Sequence, residues 1–334
     1  MPLSTQSQSG NDEYILVASL DNARNLSNIL KAISFKDHAI FNVTQNGLKV
    51  TIEDSKCLQA NAFIQADIFQ EFTLKEDVVG FQVNLTVLLD CLTIFGGSTV
   101  PGVNTALRMC YNGYGYPLTL FLEEGGVVTV CKINTQEPEE LIDFDFCSTN
   151  VTNKVILQSD SLKEAFSELD MTSEVLQLTM SPSHPYFRLS TFGNSGNAHY
   201  DYPKDSDMME LFQCTKTQTN RYKMSLLKPS TKALALSCKV SVRTDGRGFL
   251  SLQYLSSRPS MACCQKRGFP MRMSPTSPLV IQTRAGAERP RSAQDPVTSA
   301  LRPAEGSNVA HPFNYGQSKF SDLGVWWRRA SLAL

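Results

Sequence analysis

Apolar and polar residues alternate along most of this chain, and at a few places the period of the alternation changes. Residues 14–19 (YILVAS) form a short run of strand formers, and Asp21 follows as a helix cap. In DNARNLSNILKAI the apolar positions Leu26, Ile29, Leu30 and Ile33 obey the i, i+3, i+4, i+7 rule, with Arg24, Asn28 and Lys31 opposite them. A helix buried on one side is predicted. FNVTQNGLKVTIED carries Asn46-Gly47, the preferred pair for a tight hairpin turn, and CLQANAFIQ continues the strands, so an antiparallel meander is expected. A strand over 78–83 then leads into NLTVLLDCLTIFGG. This reads as a helix from the capping Asn84 to Gly96, with Leu85, Leu88, Leu89, Leu92 and Phe95 on one face. ALRMCYNG, YPLTLFLEE and GVVTVCKIN predict three more strands.

An acidic segment, KINTQEPEELIDFDFCSTNVTN (132–153), interrupts the pattern, and afterwards the pattern recurs. VTNKVILQS is a strand, and DSLKEAFSELD is a capped helix with Leu162, Phe166 and Leu169 inward and Lys163 and Ser167 outward. EVLQLTMS, YFRLSTF, NAHYDY and RYKMSLL alternate as strands. KPSTKALALS is a short helix with Pro229 in its first turn and Lys228 and Lys232 one turn apart. CKVSVRT and FLSLQY pair around Asp245-Gly246. The expected fold class is α+β, built from two strand-rich units with two one-sided helices each. The boundaries are 1–12 for a disordered N-terminus, 13–131 and 153–254 for the two domains, 132–152 for the connector, and 255–334 for a disordered tail.

Composition supports two domains, since 334 residues with 42% hydrophobic content can bury a substantial core. No run approaches the roughly 18 uncharged apolar residues of a membrane helix, and MPLSTQSQSGNDE lacks the basic and apolar regions of a signal peptide. Neither a membrane partner nor export is expected. Nine scattered cysteines without CxxC spacing suit reduced thiols in the cytosol or nucleus, where the sequons at Asn25, Asn42, Asn84 and Asn150 are chance matches. The formal charge of −1 conceals an asymmetry. Residues 255–334 hold 11 Lys/Arg against 4 Asp/Glu, and the body 20 against 28.

An enzyme would need a site. Asp201, Asp205 and Asp207, or Glu137, Glu139, Glu140, Asp143 and Asp145, are the carboxylate clusters that a two-metal nuclease would draw on, but neither has a metal-ligand spacing. The histidines at 38, 184, 199 and 311 form no HExxH pair, and GYGYP and TDGRG lack the GK[ST] of a phosphate loop. No cofactor, metal or catalytic residue is expected. Lysines on the outer faces of helices ordinarily mean solubility alone.

The segments SLDNARNLSNILKAI, NLTVLLDCL, GYGYPLTLFLEEGGVVTVCKINTQEPEE, EAFSELDMTSEVLQ and LLKPSTKALALSCKVSVRTD resemble the Rad-one family of nine-one-one checkpoint clamp subunits, over about residues 14–254. That family is similar to the proliferating cell nuclear antigen. The resemblance implies a sliding-clamp fold: two similar domains per chain, a long connector, sheets outside, and helices lining the hole of a three-chain ring. It further implies a non-catalytic subunit that encircles double-stranded DNA without sequence specificity at damage sites in the nucleus. The partners it implies are two other clamp-like subunits, a clamp loader, and repair and signalling proteins docking near the connector.

Sliding contact needs bases over phosphates and no groove-reading element. By position Arg24, Lys31, Lys163, Lys228 and Lys232 are the DNA-facing candidates, whereas the helix from Asn84 offers only Thr86, Asp90 and Thr93. Clamp subunits of this type pair edge strands across their interface, which nominates Val127, Val128, Val130 and Ile133. In such clamps the connector borders a pocket for partner peptides, which nominates Leu141, Ile142, Phe144 and Phe146. The alternatives are a 3′-5′ exonuclease and an assembly-defective regulatory isoform.

The resemblance ends near Leu255. Eight of the 16 prolines follow it, and Cys263-Cys264, Ser274-Pro275, Ser277-Pro278 and the RRAS around Ser331 stand there without supporting pattern. Family members continue with a strand that completes the second domain. Its loss is expected to leave FLSLQY with an unpaired edge.

Overall fold

Backbone hydrogen bonds sort the nineteen strands among the described residues of the computed structural model into three antiparallel sheets. Those residues are 14–96, 104–143, 146, 148–169, 172–193 and 196–255, together with the backbone of 280–285. They belong to the unit Met1–Glu288.

The first half runs β1 (Leu16–Leu20), α1 (Ala23–Ile33), β2 (His38–Thr44), β3 (Gly47–Asp54), β4 (Leu58–Gln65), β5 (Glu71–Leu74), β6 (Val78–Asn84), α2 (Leu85–Leu92), β7 (Ala106–Tyr111), β8 (Leu118–Glu124) and β9 (Val127–Ile133). A two-residue strand, β10 (Thr135–Gln136), opens the connector. The second half runs β11 (Val151–Gln158), α3 (Ser159–Glu168), β12 (Val175–Met180), β13 (Phe187–Gly193), β14 (Gly196–Tyr202), β15 (Met209–Cys214) and β16 (Gln218–Lys223). It continues through α4 (Met224–Leu227), α5 (Thr231–Leu234), β17 (Lys239–Asp245), β18 (Leu250–Leu255) and β19 (Val280–Ala285).

The repeat suggested by the pattern holds strand for strand. The sheet β5-β1-β7-β8-β9 has its counterpart in β15-β11-β17-β18-β19, and β6-β2-β3-β4 has its counterpart in β16-β12-β13-β14. Where β4 pairs with β19, two of these sheets fuse, and with β10 on the outer edge of β6 they make one sheet of ten strands. The corresponding strands at the opposite ends, β9 and β14, each have a neighbour on one side only among the described residues.

This pairing corrects one expectation. β18 is not left with an open edge, because β19 bonds it from Leu255↔Val280 to Leu250↔Ala285 while bonding β4 from Phe63↔Val280 to Leu58↔Ala285. A sheet edge offers backbone N–H and C=O groups to any extended segment, whatever its side chains. Within the proline-rich tail VIQTRA contains three β-branched residues, enough to supply one. The rest of the tail and the N-terminal residues lie outside the described residues.

The helices cover the sheets with the faces that periodicity assigned. α1 buries Leu26, Leu30 and Ile33, α2 buries Leu85, Leu88 and Leu92, and α3 buries Leu162, Ala165 and Phe166. Local details differ. Asn22, not Asp21, caps α1 by accepting from the Arg24 N–H at 3.0 Å, while the Asp21 carboxylate accepts from Gln70. α2 stops at Leu92 rather than Gly96, since the Thr93 hydroxyl donates back to the Leu89 carbonyl. The stretch MSLL is helical rather than a strand, and Pro229 sits in a 3-10 turn between α4 and α5, lacking the N–H a continuous helix would use. β5 and β15 were not predicted.

Two turns show why particular residues stand where they do. Gly47 adopts φ +137°, and a Cβ there would sit 2.2 Å from the Ile64 carbonyl, so only glycine closes the β2–β3 hairpin. Between β17 and β18 the carboxylate of Asp245, 1% exposed, accepts from the backbone N–H groups of Arg247 (3.0 Å) and Phe249 (2.9 Å). Arg247 closes the turn with its guanidinium at 2.8 Å from the same carboxylate.

Candidate functional site

Three surfaces gather the residues nominated from the sequence. The first is the layer of helices. α1 packs against both α2 and α5, and α5 packs against α3, so the order across the layer is α2, α1, α5, α3. Arg24, Asn28 and Lys31 are exposed on α1, and Lys228 and Lys232 are exposed on the turn and helix beside it. Lys228 and Lys232 therefore stand at the seam where the two halves of the chain meet, while Arg24 and Lys31 line the side of α1 that faces the end of α2.

The flanks of the layer are acidic. Lys163 is exposed on α3 but stands among exposed Asp160, Glu164 and Glu168, and α2 presents Asp90. Lys163 is thus separated by charge from the other four candidates, by acids that lie on its own helix. Lys232 is also engaged: its Nζ donates to the Ser34 carbonyl at 3.3 Å.

The second surface is the connector, which is held against the outer side of the ten-stranded sheet. The Glu139 N–H donates to the Gln82 side chain at 3.2 Å, and the Ile142 N–H donates to the Glu53 carboxylate at 3.1 Å. Gln59 Nε2 in turn donates to the Ile142 carbonyl at 3.1 Å and belongs to a side-chain ladder with Asn61 and Thr51. Buried amides of this kind need partners, and here the connector backbone supplies them. Leu141 and Ile142 are half-buried, and Phe146 is only 6% exposed, with the Arg243 guanidinium 5.5 Å from its ring centroid. Phe144 lies outside the described residues.

The third surface is the β9 edge. Val127, Val128 and Val130 are 59%, 42% and 50% exposed, which is unusual for three valines on one strand. Ile133 is buried in the core and contributes no side chain to that edge. Behind the strand, Cys131 packs beside Cys91 of α2. Burial and the neighbouring thiol raise the Cys91 thiol to about 11, well above the ordinary range.

No nuclease-like cluster is assembled among the described residues. Arg188 holds Asp201 in a two-pronged pair, with Nη2 to Oδ2 at 2.6 Å, and the hydrogen bonds followed by the charge of Arg188 hold the Asp201 carboxyl below the usual range. No three His, Cys, Asp or Glu side chains among the described residues gather as metal ligands would. No helix among them is long and apolar enough to cross a membrane.

Comparison with known proteins agrees with this geometry. Residues 15–256 match the family described as repair protein Rad1/Rec1/Rad17. The human cell cycle checkpoint protein RAD1 is 75% identical, with 76% of this chain and 91% of that protein covered. The Drosophila melanogaster DNA repair protein Rad1 is 31% identical over 71% of this chain and 86% of its own length. The Mycosarcoma maydis DNA repair exonuclease REC1 is 19% identical over 72% and 87%. With an α+β clamp fold and a family match over 15–256, the chain belongs to the Rad1/Rec1/Rad17 family of repair proteins.

Proposed function

We propose that this chain is a non-catalytic subunit of a three-chain DNA clamp, acting in checkpoint signalling and repair in the nucleus. The observation that carries the ring is the internal repeat. Within the chain the fourth strand of one half pairs with the last strand of the other, as β4 with β19, while β14 and β9 occupy the same two positions and lack that partner. Repeating the intrachain contact between chains makes β9 of one subunit the neighbour of a β14-like strand in the next. Such a contact is heterologous, and it closes into a ring when the rotation allows.

Arg24, Lys31, Lys228 and Lys232 then face the hole and the phosphates of duplex DNA, with Lys163 a weaker member. An acidic body is compatible with this, since local field rather than net charge governs the contact. The connector serves as a docking strip: its backbone is fastened to the sheet, and Leu141 and Ile142 remain half-exposed beside acidic residues that favour basic partner peptides. Loading onto closed DNA requires a separate clamp loader. The two domains correspond to residues 13–131 and 153–254, the second completed by β19.

Co-expression with two clamp-like subunits of the same family type tests the reading. A three-chain species on size-exclusion chromatography, retained on circular duplex DNA and released by linearisation, is the expected result. A chain that elutes alone in the presence of both partners overturns it. The Mycosarcoma maydis relative, a DNA repair exonuclease, motivates one control: magnesium-dependent shortening of a labelled strand, lost on Asp205→Asn, would mark an exonuclease instead.

A further inference from the structure

We propose that the outer face of the sheet β14-β13-β12-β16, together with the open edge of β16, seats an extended acidic segment of another protein, as the connector is seated on the first half. The inference stands apart from the ring reading, because pairing of β14 between chains would use that strand's edge and not this face.

The internal repeat supplies the template. β6 and β16 each run straight into a helix, at Leu85 and Met224, so Arg221 holds the position of Gln82. The core-side residues next to them, Val83 and Tyr222, are both buried. Strand register extends the match. Gln82 leads through Ile40 to Thr51, two residues short of Glu53, which pairs with Gln59. Arg221 leads through Gln177 to Ser190, two residues short of Phe192, which pairs with Asn197. The side chains that fasten the connector, Gln82, Glu53 and Gln59, thus have Arg221, Phe192 and Asn197 as counterparts. In the first half β10 takes the outer edge of β6, whereas β16 has no neighbour on that side among the described residues.

Where the connector would lie, the second half has a groove of about 350 Å³ lined by Phe192 and Asn197 with Gln177, Thr179 and Ser190. That volume is within the roughly 300–1,000 Å³ of ordinary ligand clefts. Phe192 is 37% exposed, and the Arg221 guanidinium lies 5.3 Å from its ring centroid. A cation and an apolar surface stand side by side.

The chemistry of the counterparts names the occupant. Gln82 and Glu53 accept hydrogen bonds from the connector backbone, whereas Arg221 can only donate and Phe192 does neither. Lys216, Arg221 and Lys223 are exposed, and no acid interrupts residues 215–223. The matching pattern is a carboxylate opposite Arg221 and an apolar side chain three residues on, opposite Phe192. That spacing is the one between Glu139 and Ile142, which the connector sets over Gln82 and Glu53. The chain's own segments fit less well. Its connector is already paired with β6, and residues 255–334 carry 11 Lys/Arg against 4 Asp/Glu. An extended segment joins an open edge through its backbone, and its side chains give the selectivity.

A fluorescein-labelled peptide TQEPEELID, the sequence of residues 135–143, has this pattern and serves as the probe, with TQKPKKLIK as the charge-reversed control. Fluorescence anisotropy with the full chain should show saturable binding of the acidic peptide and none of the control. Arg221→Glu should weaken binding at least about tenfold, since a repulsion replaces an attraction. Phe192→Ala should weaken it about fivefold, the loss of an apolar anchor. Both side chains are exposed, so neither variant should shift the thermal midpoint. Gln82→Ala should leave peptide binding unchanged, because the attached connector holds the first face at high effective concentration.

Hydrogen exchange adds a readout of edge pairing: bound peptide should slow amide exchange in β16 and leave β6 as it was. The proposal is overturned if the acidic peptide does not bind, or if both peptides bind equally. It is also overturned if Arg221→Glu binds as the unaltered chain does, or if exchange in β16 stays the same on binding.

Discussion

Lys232 Nζ donates to the Ser34 carbonyl across 198 positions of sequence, joining the second half of the chain to the end of the first half's helix. Ser34 caps the C-terminus of α1, where unsatisfied carbonyls carry partial negative charge, and an ammonium is favoured there. One of its three N–H donors is used, and two remain for an outside acceptor. Lys232 thus fastens the seam and adds to its positive field, while Lys228 contributes to the field alone.

Lys232→Gln should lower thermal stability by about 0.3–1 kcal/mol, as expected for a cation removed from a helix C-terminus, and Lys228→Gln should leave it unchanged. The double variant should reduce the salt slope of duplex binding by about 1.8, two phosphate contacts' worth. Calorimetry and a salt titration on the same preparations check both halves of this prediction. Equal stability loss in the two single variants would remove the distinction.

Val130→Lys places a charge at the centre of the β9 edge. Because Val130 is half exposed, folding should be unaffected within about 0.5 kcal/mol, the usual range for surface substitutions. Co-purification with clamp partners should be lost, since lysine on an edge strand discourages pairing. Val83→Lys, at a buried position of β6, serves as the contrast: it should unfold the chain and lose assembly for that reason.

Ending the chain after Leu255 removes β19 and opens the backbone edges of both β4 and β18. The ten-stranded sheet would then divide at the boundary between the halves. The expected outcome is lower thermal stability, two unfolding steps in place of one, and a concentration-dependent tendency to aggregate through the open edges. An unchanged single transition would show that β19 does not couple the halves.

Arg188 keeps Asp201 below its ordinary pKa, so the pair contributes stability above the unfolded value of about 3.9 and loses it as pH falls through the lower folded value. Both side chains are partly exposed, so solvent screening keeps the contribution small. Asp201→Asn should therefore lower stability slightly at pH 7 and not at all once Asp201 is protonated in the parent protein. Thermal midpoints of the two proteins, compared at pH 7 and in acid, should converge.

Much of the fold was legible because hydrophobic period is a local property. The buried faces of α1, α2 and α3 and the turns at Gly47 and Asp245 follow from spacing, side-chain size and the φ that glycine allows. The failures were local competitions won by long-range contacts. MSLL has the β-compatible look of its neighbours, yet it is helical because Met224 and Leu227 are buried in the core from that position. β5 escaped notice because a four-residue strand with one buried side chain has almost no period to read.

The candidate site divides in the same way. Arg24, Lys31, Lys228 and Lys232 were each identifiable as outward-facing, since an amphipathic helix declares its polar side. That Lys228 and Lys232 stand beside α1 depends on the packing of α1 against α5, which no spacing along the chain encodes, whereas the acids around Lys163 lie on its own helix and are legible in the sequence. Ser27 lies on the buried side of α1, and its hydroxyl has no hydrogen-bond partner among the described residues.

By itself the sequence determined the repeated order of strands and helices, the one-sided helices and the family resemblance, because each rests on short-range periodicity or on runs of consecutive residues. Tertiary structure decided the rest. It chose a strand from the tail to close the second half, and it left β9 and β14 as the open ends of their sheets. It also pinned the connector to the sheet through Glu53, Gln59 and Gln82. Backbone hydrogen bonding is blind to side-chain identity, so which segment fills a sheet edge is settled by which segment can reach it.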